Sequence, residues 1–126
     1  MNQQTILVAD DDPQVRQALR TRLAAHGYRV VECRDGLGAI AKCNHVPVDV
    51  IILDHEMPLG EGRTVAHNIR ENSTAPIIFL SGHERESFRN IVMQLPNTYF
   101  LSKPLDDGKL QALLGSLTSN PPRANC

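Results

Sequence analysis

Val50-Ile51-Ile52-Leu53-Asp54 runs four apolar residues without a break into a carboxylate, and Met57-Pro58 and Gly62 follow within a few positions. An unbroken apolar run of this length reads as a strand buried on both faces, since a strand with one wet face would alternate. The Pro- and Gly-containing stretch after it reads as a loop. Asp54 therefore stands where a buried strand runs out. That is a poor place for a core residue and a good one for a nucleophile or metal ligand, held by the strand behind it and exposed to solvent by the loop ahead.

The same grammar recurs on both sides of this stretch. Ile6-Leu7-Val8-Ala9 is another continuous run and ends in Asp10-Asp11. Asp12-Pro13 then supplies an N-cap and an N1 proline for a helix with Val15, Ala18, Leu19 and Leu23 on one face. It stops at His26-Gly27, where Gly27 suits the left-handed position beyond the C-cap. Tyr28 to Cys33 is predicted as a strand whose weaker pattern suggests a sheet edge, and a short helix runs from about Leu37 to Pro47. Beyond Asp54, a helix is expected from Gly62 to about Asn72, with Val65, Ala66 and Ile69 inward. Pro76 to Leu80 forms the fourth strand. Phe88, Ile91, Val92 and Leu95 follow helical spacing up to Pro96, and Tyr99-Phe100-Leu101 reads as the fifth strand. Leu110, Leu113, Leu114 and Leu117 mark the last helix. The domain is expected over residues 4–118, with a disordered tail over 119–126 that has no apolar face.

Strands that alternate with helices pair in parallel through right-handed crossovers, giving an open, doubly wound α/β sheet with helices on both faces. Ligands of such sheets bind outside the carboxyl ends of the strands, where strand order reverses. In the flavodoxin-like order 2-1-3-4-5, Asp10-Asp11, Asp54, Ser81 and Lys103 all reach one rim from four neighbouring strands. Taken singly, each has an ordinary reading: Ser81 a turn residue, Lys103 a solvated lysine, Asp12 a helix cap. Together they predict a site.

The 126 residues suffice for one domain, and 41 % hydrophobic with 21 % charged residues is an ordinary globular composition. A formal net charge of -1 offers no basic field for nucleic acid or acidic lipid. No apolar run approaches the roughly 18 residues of a membrane span, and the N-terminus lacks a signal-peptide pattern, so a cytoplasmic location is expected. Cys33, Cys43 and Cys126 lack metal-ligand spacing and read as free thiols. His26, His45, His55 and His67 are scattered and read as surface residues.

Three carboxylates in a partly dehydrated cleft repel one another unless a cation is present. All-oxygen ligation without His or Cys points to Mg²⁺. A metal with a lysine and a hydroxyl opposite suits a phosphoryl group, and a central Asp54 suggests an aspartyl-phosphate. An acidic first turn, Asp10 to Pro13, would repel a nucleotide pyrophosphate, which disfavours nucleotide binding.

At this point the chain resembles the receiver domains of two-component response regulators, the CheY-like family. The resemblance rests on Ile6 to Pro13, on Ile52 to Pro58 with Gly62, on Ile78 to Gly82, and on Leu101-Ser102-Lys103-Pro104. It implies the (βα)5 receiver fold. It implies that Asp54 accepts phosphate from a sensor histidine kinase or a histidine phosphotransfer protein. Asp10, Asp11, Asp54 and the backbone carbonyl of Glu56 would hold Mg²⁺, Lys103 would pair with the phosphoryl group, and its bond to Pro104 would be cis. Ser81 and Phe100 would act as the switch that remodels the face of the fourth helix, fifth strand and fifth helix for a downstream protein. The chain would act without DNA binding or membrane contact of its own, and a weak homodimer is left open. It would not be a conventional turnover enzyme.

Some positions depart from the family pattern. Glu56 and His83 fall two residues past Asp54 and Ser81, where they are expected to tune phosphoryl lifetime. Phe100 lacks a hydroxyl and Tyr99 points to the opposite face. Gln94 to Asn97 lacks the small residues common before the fifth strand, so an altered end of the fourth helix is expected. The alternative functions are a Mg²⁺-dependent phosphohydrolase working through an aspartyl-phosphate and a phosphorylation-independent scaffold.

Overall fold

A computed structural model describes residues 3–54, 62–81 and 96–118. Its strands are β1 (Thr5–Ala9), β2 (Arg29–Cys33), β3 (Val50–Asp54), β4 (Ile77–Ser81) and β5 (Thr98–Ser102). Its helices are α1 (Pro13–Ala25), α2 (Gly36–His45), α3 (Gly62–Arg70) and α4, the last one (Asp107–Leu117). The helix expected over Phe88 to Leu95, the tail, Glu56 and His83 lie outside the described residues.

All neighbouring strands pair in parallel in the order β2-β1-β3-β4-β5. The continuous apolar runs are explained by burial on both faces. Leu7, Ala9, Ile51, Leu53, Ile77 and Phe79 face one core layer, which Ala39 of α2 and Val65, Ala66 and Ile69 of α3 cover. Their sequence neighbours Ile6, Val8, Val50, Ile52, Ile78 and Leu80 face the other, covered by Leu19 and Leu23 of α1 and Leu110 and Leu114 of α4. The two-residue period of the strand assigns each residue to one layer or the other. The edge strand β2 is only partly buried, as the weaker pattern of Tyr28 to Cys33 suggested, and most of β5 at the other edge is partly buried too.

Three aspartates start the capped helices. Asp12 accepts from the Gln14 amide at 2.9 Å, Asp35 from Gly38 at 2.7 Å and Asp106 from Lys109 at 3.1 Å. The first was expected. Asp35 moves the start of α2 to Gly36, one residue ahead of the expected Leu37. Gly27, at φ 89°, follows the C-cap His26 of α1 in the left-handed region. Tyr28 falls outside β2 but is buried in the α1 layer.

Candidate functional site

The chain turns from β1 into α1 through a tight set of hydrogen bonds. The Asp10 amide continues the sheet ladder to the Cys33 carbonyl at 3.2 Å. Asp10 Oδ1 accepts from the Asp12 amide at 2.9 Å, and Asp12 then caps α1. One oxygen of Asp10 thus serves the turn. The other, Oδ2, is buried and has no hydrogen-bond partner among the described residues. Because Ala9 and Leu53 are in register on adjacent strands, the next residues, Asp10 and Asp54, emerge side by side.

Lys103 follows β5 and reaches past the end of β4. Its ammonium lies 3.2 Å from Asp54 Oδ1, a hydrogen-bonded ion pair, and 3.6 Å from Asp10 Oδ2, an ion pair too long for a hydrogen bond. The Lys103–Pro104 peptide is cis, as the resemblance implied. Asp11 is exposed, and one carboxylate oxygen from each of Asp10, Asp11 and Asp54 lies within 4.8 Å of the others. Asp10 and Asp54 are more enclosed than expected, at 1 % and 4 % exposure. Asp54 is the final residue of β3 itself, so the solvent-exposed position predicted for it is corrected to a buried one.

Burial sets the electrostatics. It pushes the Asp10 carboxyl above its ordinary value; the Asp12 amide draws it down and the Asp54 carboxylate raises it again. Burial alone would lower the Lys103 pKa, but Asp54 and Asp10 overcome this and hold the ammonium above its ordinary value. An acid whose folded pKa exceeds its unfolded one makes ionisation costly to the fold, a cost present at neutral pH and relieved as pH falls through the folded pKa toward 3.8. Lys103 has the opposite effect: its stabilisation is full below 10.5 and lost as pH rises through the folded pKa. In metal-free buffer, Asp10→Asn is therefore expected to raise the urea midpoint at neutral pH, with the gain shrinking as pH approaches 3.8. An equal or lower midpoint at neutral pH would contradict this account of Asp10.

The donor set fits a hard divalent cation. Three carboxylates converge, one of them with a buried oxygen that has no hydrogen bond among the described residues, and every ligand they offer is oxygen.

The structure therefore joins Asp10, Asp11, Asp54 and Lys103 as predicted. Ser81 ends β4, where its backbone is paired with Ser102; its side chain lies outside the described residues. Phe100 pairs with Phe79 across β4 and β5 and packs, partly buried, against the α2–α3 core layer, while Tyr99 packs on the opposite layer. Cys33 and Cys43 are free thiols pushed by burial up to about 12 and about 11, so neither is a thiolate at neutral pH.

Two arginines were not singled out in the sequence. Arg16 Nη1 donates to the Asp10 carbonyl at 2.7 Å. Arg70 ties the end of α3 to the entrance of β5 by donating to the carbonyls of Ser73, Pro96 and Asn97 at 3.2, 3.2 and 3.0 Å. Asn97 itself is left-handed at φ 54°. Their carbonyl partners have no side-chain signature in the sequence.

The family model for the response regulator receiver domain matches residues 6–115. The transcriptional regulatory protein KdpE of Mycobacterium tuberculosis is 35 % identical over 99 residues, 79 % of this chain and 44 % of that protein. The probable transcriptional regulator ycf27 of Porphyridium aerugineum is 30 % identical over 125 residues, 99 % of this chain and 52 % of that protein. The chain thus spans about half the length of these relatives. Among solved structures, the chemotaxis protein CheY4 of Vibrio cholerae superposes with a TM-score of 0.86 at 28 % identity, over 93 % of this chain and 100 % of that one. The receiver domain of the Pseudomonas aeruginosa sensor histidine kinase PA1611, described with magnesium coordinated in its active-site cleft, gives 0.82 at 27 % identity, over 92 % of this chain and 98 % of its own.

Proposed function

The chain belongs to the response regulator receiver domain family, and from that premise we propose that it takes a phosphoryl group onto Asp54 and signals through contacts with other proteins. The observation that carries this reading is the Asp54–Lys103 pair beside the converging Asp10 and Asp11 carboxylates. A buried carboxylate aimed at an ammonium and flanked by two further acids suits phosphoryl uptake better than a static ion pair. Asp10, Asp11 and Asp54 would hold Mg²⁺, with the Glu56 carbonyl as the fourth ligand by family resemblance.

The donor is a phosphohistidine on a histidine kinase or phosphotransfer protein. An Asp54 oxygen attacks phosphorus, the P–N bond breaks, and the imidazole leaves with the electron pair and is protonated. The product is a mixed anhydride. Bound Mg²⁺ would neutralise phosphoryl oxygens and lower the repulsion between the incoming anion and the three carboxylates. Lys103 contributes a fixed positive charge on the opposite side, already oriented by Asp54. Ser81 and Phe100 would carry the change to the face that a downstream protein reads. Uptake is stoichiometric, followed by the domain's own loss of the phosphate, rather than multiple turnover.

Incubation with Mg²⁺ and acetyl phosphate, followed by intact mass and peptide mapping, tests the proposal. One base-labile phosphate at Asp54 is expected. No adduct at any Mg²⁺ concentration would favour a scaffold, and repeated turnover of unrelated phosphoesters would favour a phosphohydrolase.

A further inference from the structure

Asp10 lies past the end of β1, so its carbonyl has left the sheet ladder while remaining enclosed. A buried carbonyl without a donor is costly. Arg16, on the first turn of α1, satisfies it at 2.7 Å. The guanidinium is itself held from the far side: Arg16 Nε lies 3.6 Å from Glu32 Oε1, and the other Glu32 oxygen accepts from Arg20 Nη1 at 3.2 Å. Arg16 and Glu32 side chains are 20 % and 30 % exposed, so this pair is better shielded than an ordinary surface pair. Glu32 precedes Cys33, whose carbonyl accepts the Asp10 amide. Asp10 is thus gripped at its amide by β2 and at its carbonyl by an arginine anchored to the same strand.

The Asp10 carbonyl belongs to the peptide plane that joins Asp10 to Asp11. Rotating that plane changes the angle between the two carboxylates. We infer that Arg16, oriented by Glu32, is a positioning residue that holds Asp10 and Asp11 in the mutual orientation needed to bind a divalent cation. Arg16 touches neither the cation nor the phosphoryl group. It acts through the peptide between the two ligands, as outer partners of metal ligands do.

This inference rests on the Mg²⁺-dependent reading of the site, and the test separates the two. Mg²⁺ is titrated into the full chain at fixed temperature and followed by amide chemical shifts. Arg16→Met is expected to weaken Mg²⁺ binding by about tenfold. Arg16→Lys, which can still donate to a carbonyl but cannot also fork to Glu32, should recover part of the loss. Glu32→Gln, which leaves the arginine less firmly oriented, should fall between parent and Arg16→Met. Arg29→Met, an equal loss of charge at the far end of β2, should leave affinity unchanged. Phosphoryl uptake by Arg16→Met should return toward the parent rate as Mg²⁺ is raised. A purely structural role would lower the urea midpoint with Mg²⁺ affinity intact in Arg16→Met and Arg16→Lys, and that result would overturn the inference. Failure of the parent itself to bind Mg²⁺ would instead overturn the reading beneath it.

Discussion

Asp54→Asn is expected to abolish phosphoryl uptake while leaving the chain folded. The amide has the same shape but carries neither the negative charge nor the available electron pair that attacks phosphorus. Removal of a reacting nucleophile costs on the order of 10⁴-fold or more in rate, so the adduct should fall to background. The fold has less reason to suffer. Asp54 lies in a cluster whose carboxylate oxygens crowd within 4.8 Å, and the variant removes one of three negative charges. Lys103 can still donate to the amide oxygen in place of its 3.2 Å carboxylate partner, and it keeps the charged Asp10 at 3.6 Å. The checks are intact mass after acetyl phosphate treatment and a urea melt of the same sample. A phosphate adduct of equal stoichiometry on the variant would sink the assignment of Asp54 as acceptor.

Phe79→Ala is expected to cost about 3–5 kcal/mol of stability, the range for emptying a buried aromatic site. Phe79 is fully buried in the middle of the sheet, paired with Leu53 of β3 on one side and Phe100 of β5 on the other. The helices α2 and α3 close the layer above it. Little can collapse into the space, because its neighbours are backbone-paired strands. With an m-value of about 2 kcal/mol/M the urea midpoint should drop by roughly 2 M. Leu37→Ala is the matched control: Leu37 is 62 % exposed, and its truncation should move the midpoint little. Equal effects for the two would mean that the Phe79 ring is not packed as described. The cavity would also adjoin Phe100, so the same variant tests how firmly the core holds that ring.

The strand and helix order was readable because the two kinds of periodicity are distinct. Ile6 to Ala9, Val50 to Leu53 and Ile77 to Leu80 each lack alternation, and that lack is what a strand covered on both faces produces. Boundaries were less legible. Asp35 starts α2 through a side-chain bond to Gly38, and a capping aspartate looks the same in sequence as a solvated one. Asp10, Asp11, Asp54 and Lys103 were legible as a group because each follows an apolar run and parallel pairing brings such ends to one rim.

Burial at the site and the arginine contacts were not legible. Asp54 was expected to face solvent, yet it is the buried last residue of β3. Lys103 reaches it from beyond β5, 49 positions away, and the 3.2 Å distance between them is not written in any local pattern. Arg16 and Arg70 have the same cause: both bind carbonyls, and every residue carries one.

By itself, then, the sequence determined the fold class, since apolar periodicity and parallel pairing are local rules; the order 2-1-3-4-5, and with it the shared rim, rested on likeness to flavodoxin-like sheets and is what the structure has. Only the tertiary structure decided which oxygen of Asp10 is spent on the turn and which is left toward Lys103. It alone showed that the peptide between Asp10 and Asp11 is held by Arg16. Distances of a few ångströms between groups far apart in the chain depend on how whole elements pack, and hydrogen bonds to backbone carbonyls leave no mark on residue identity.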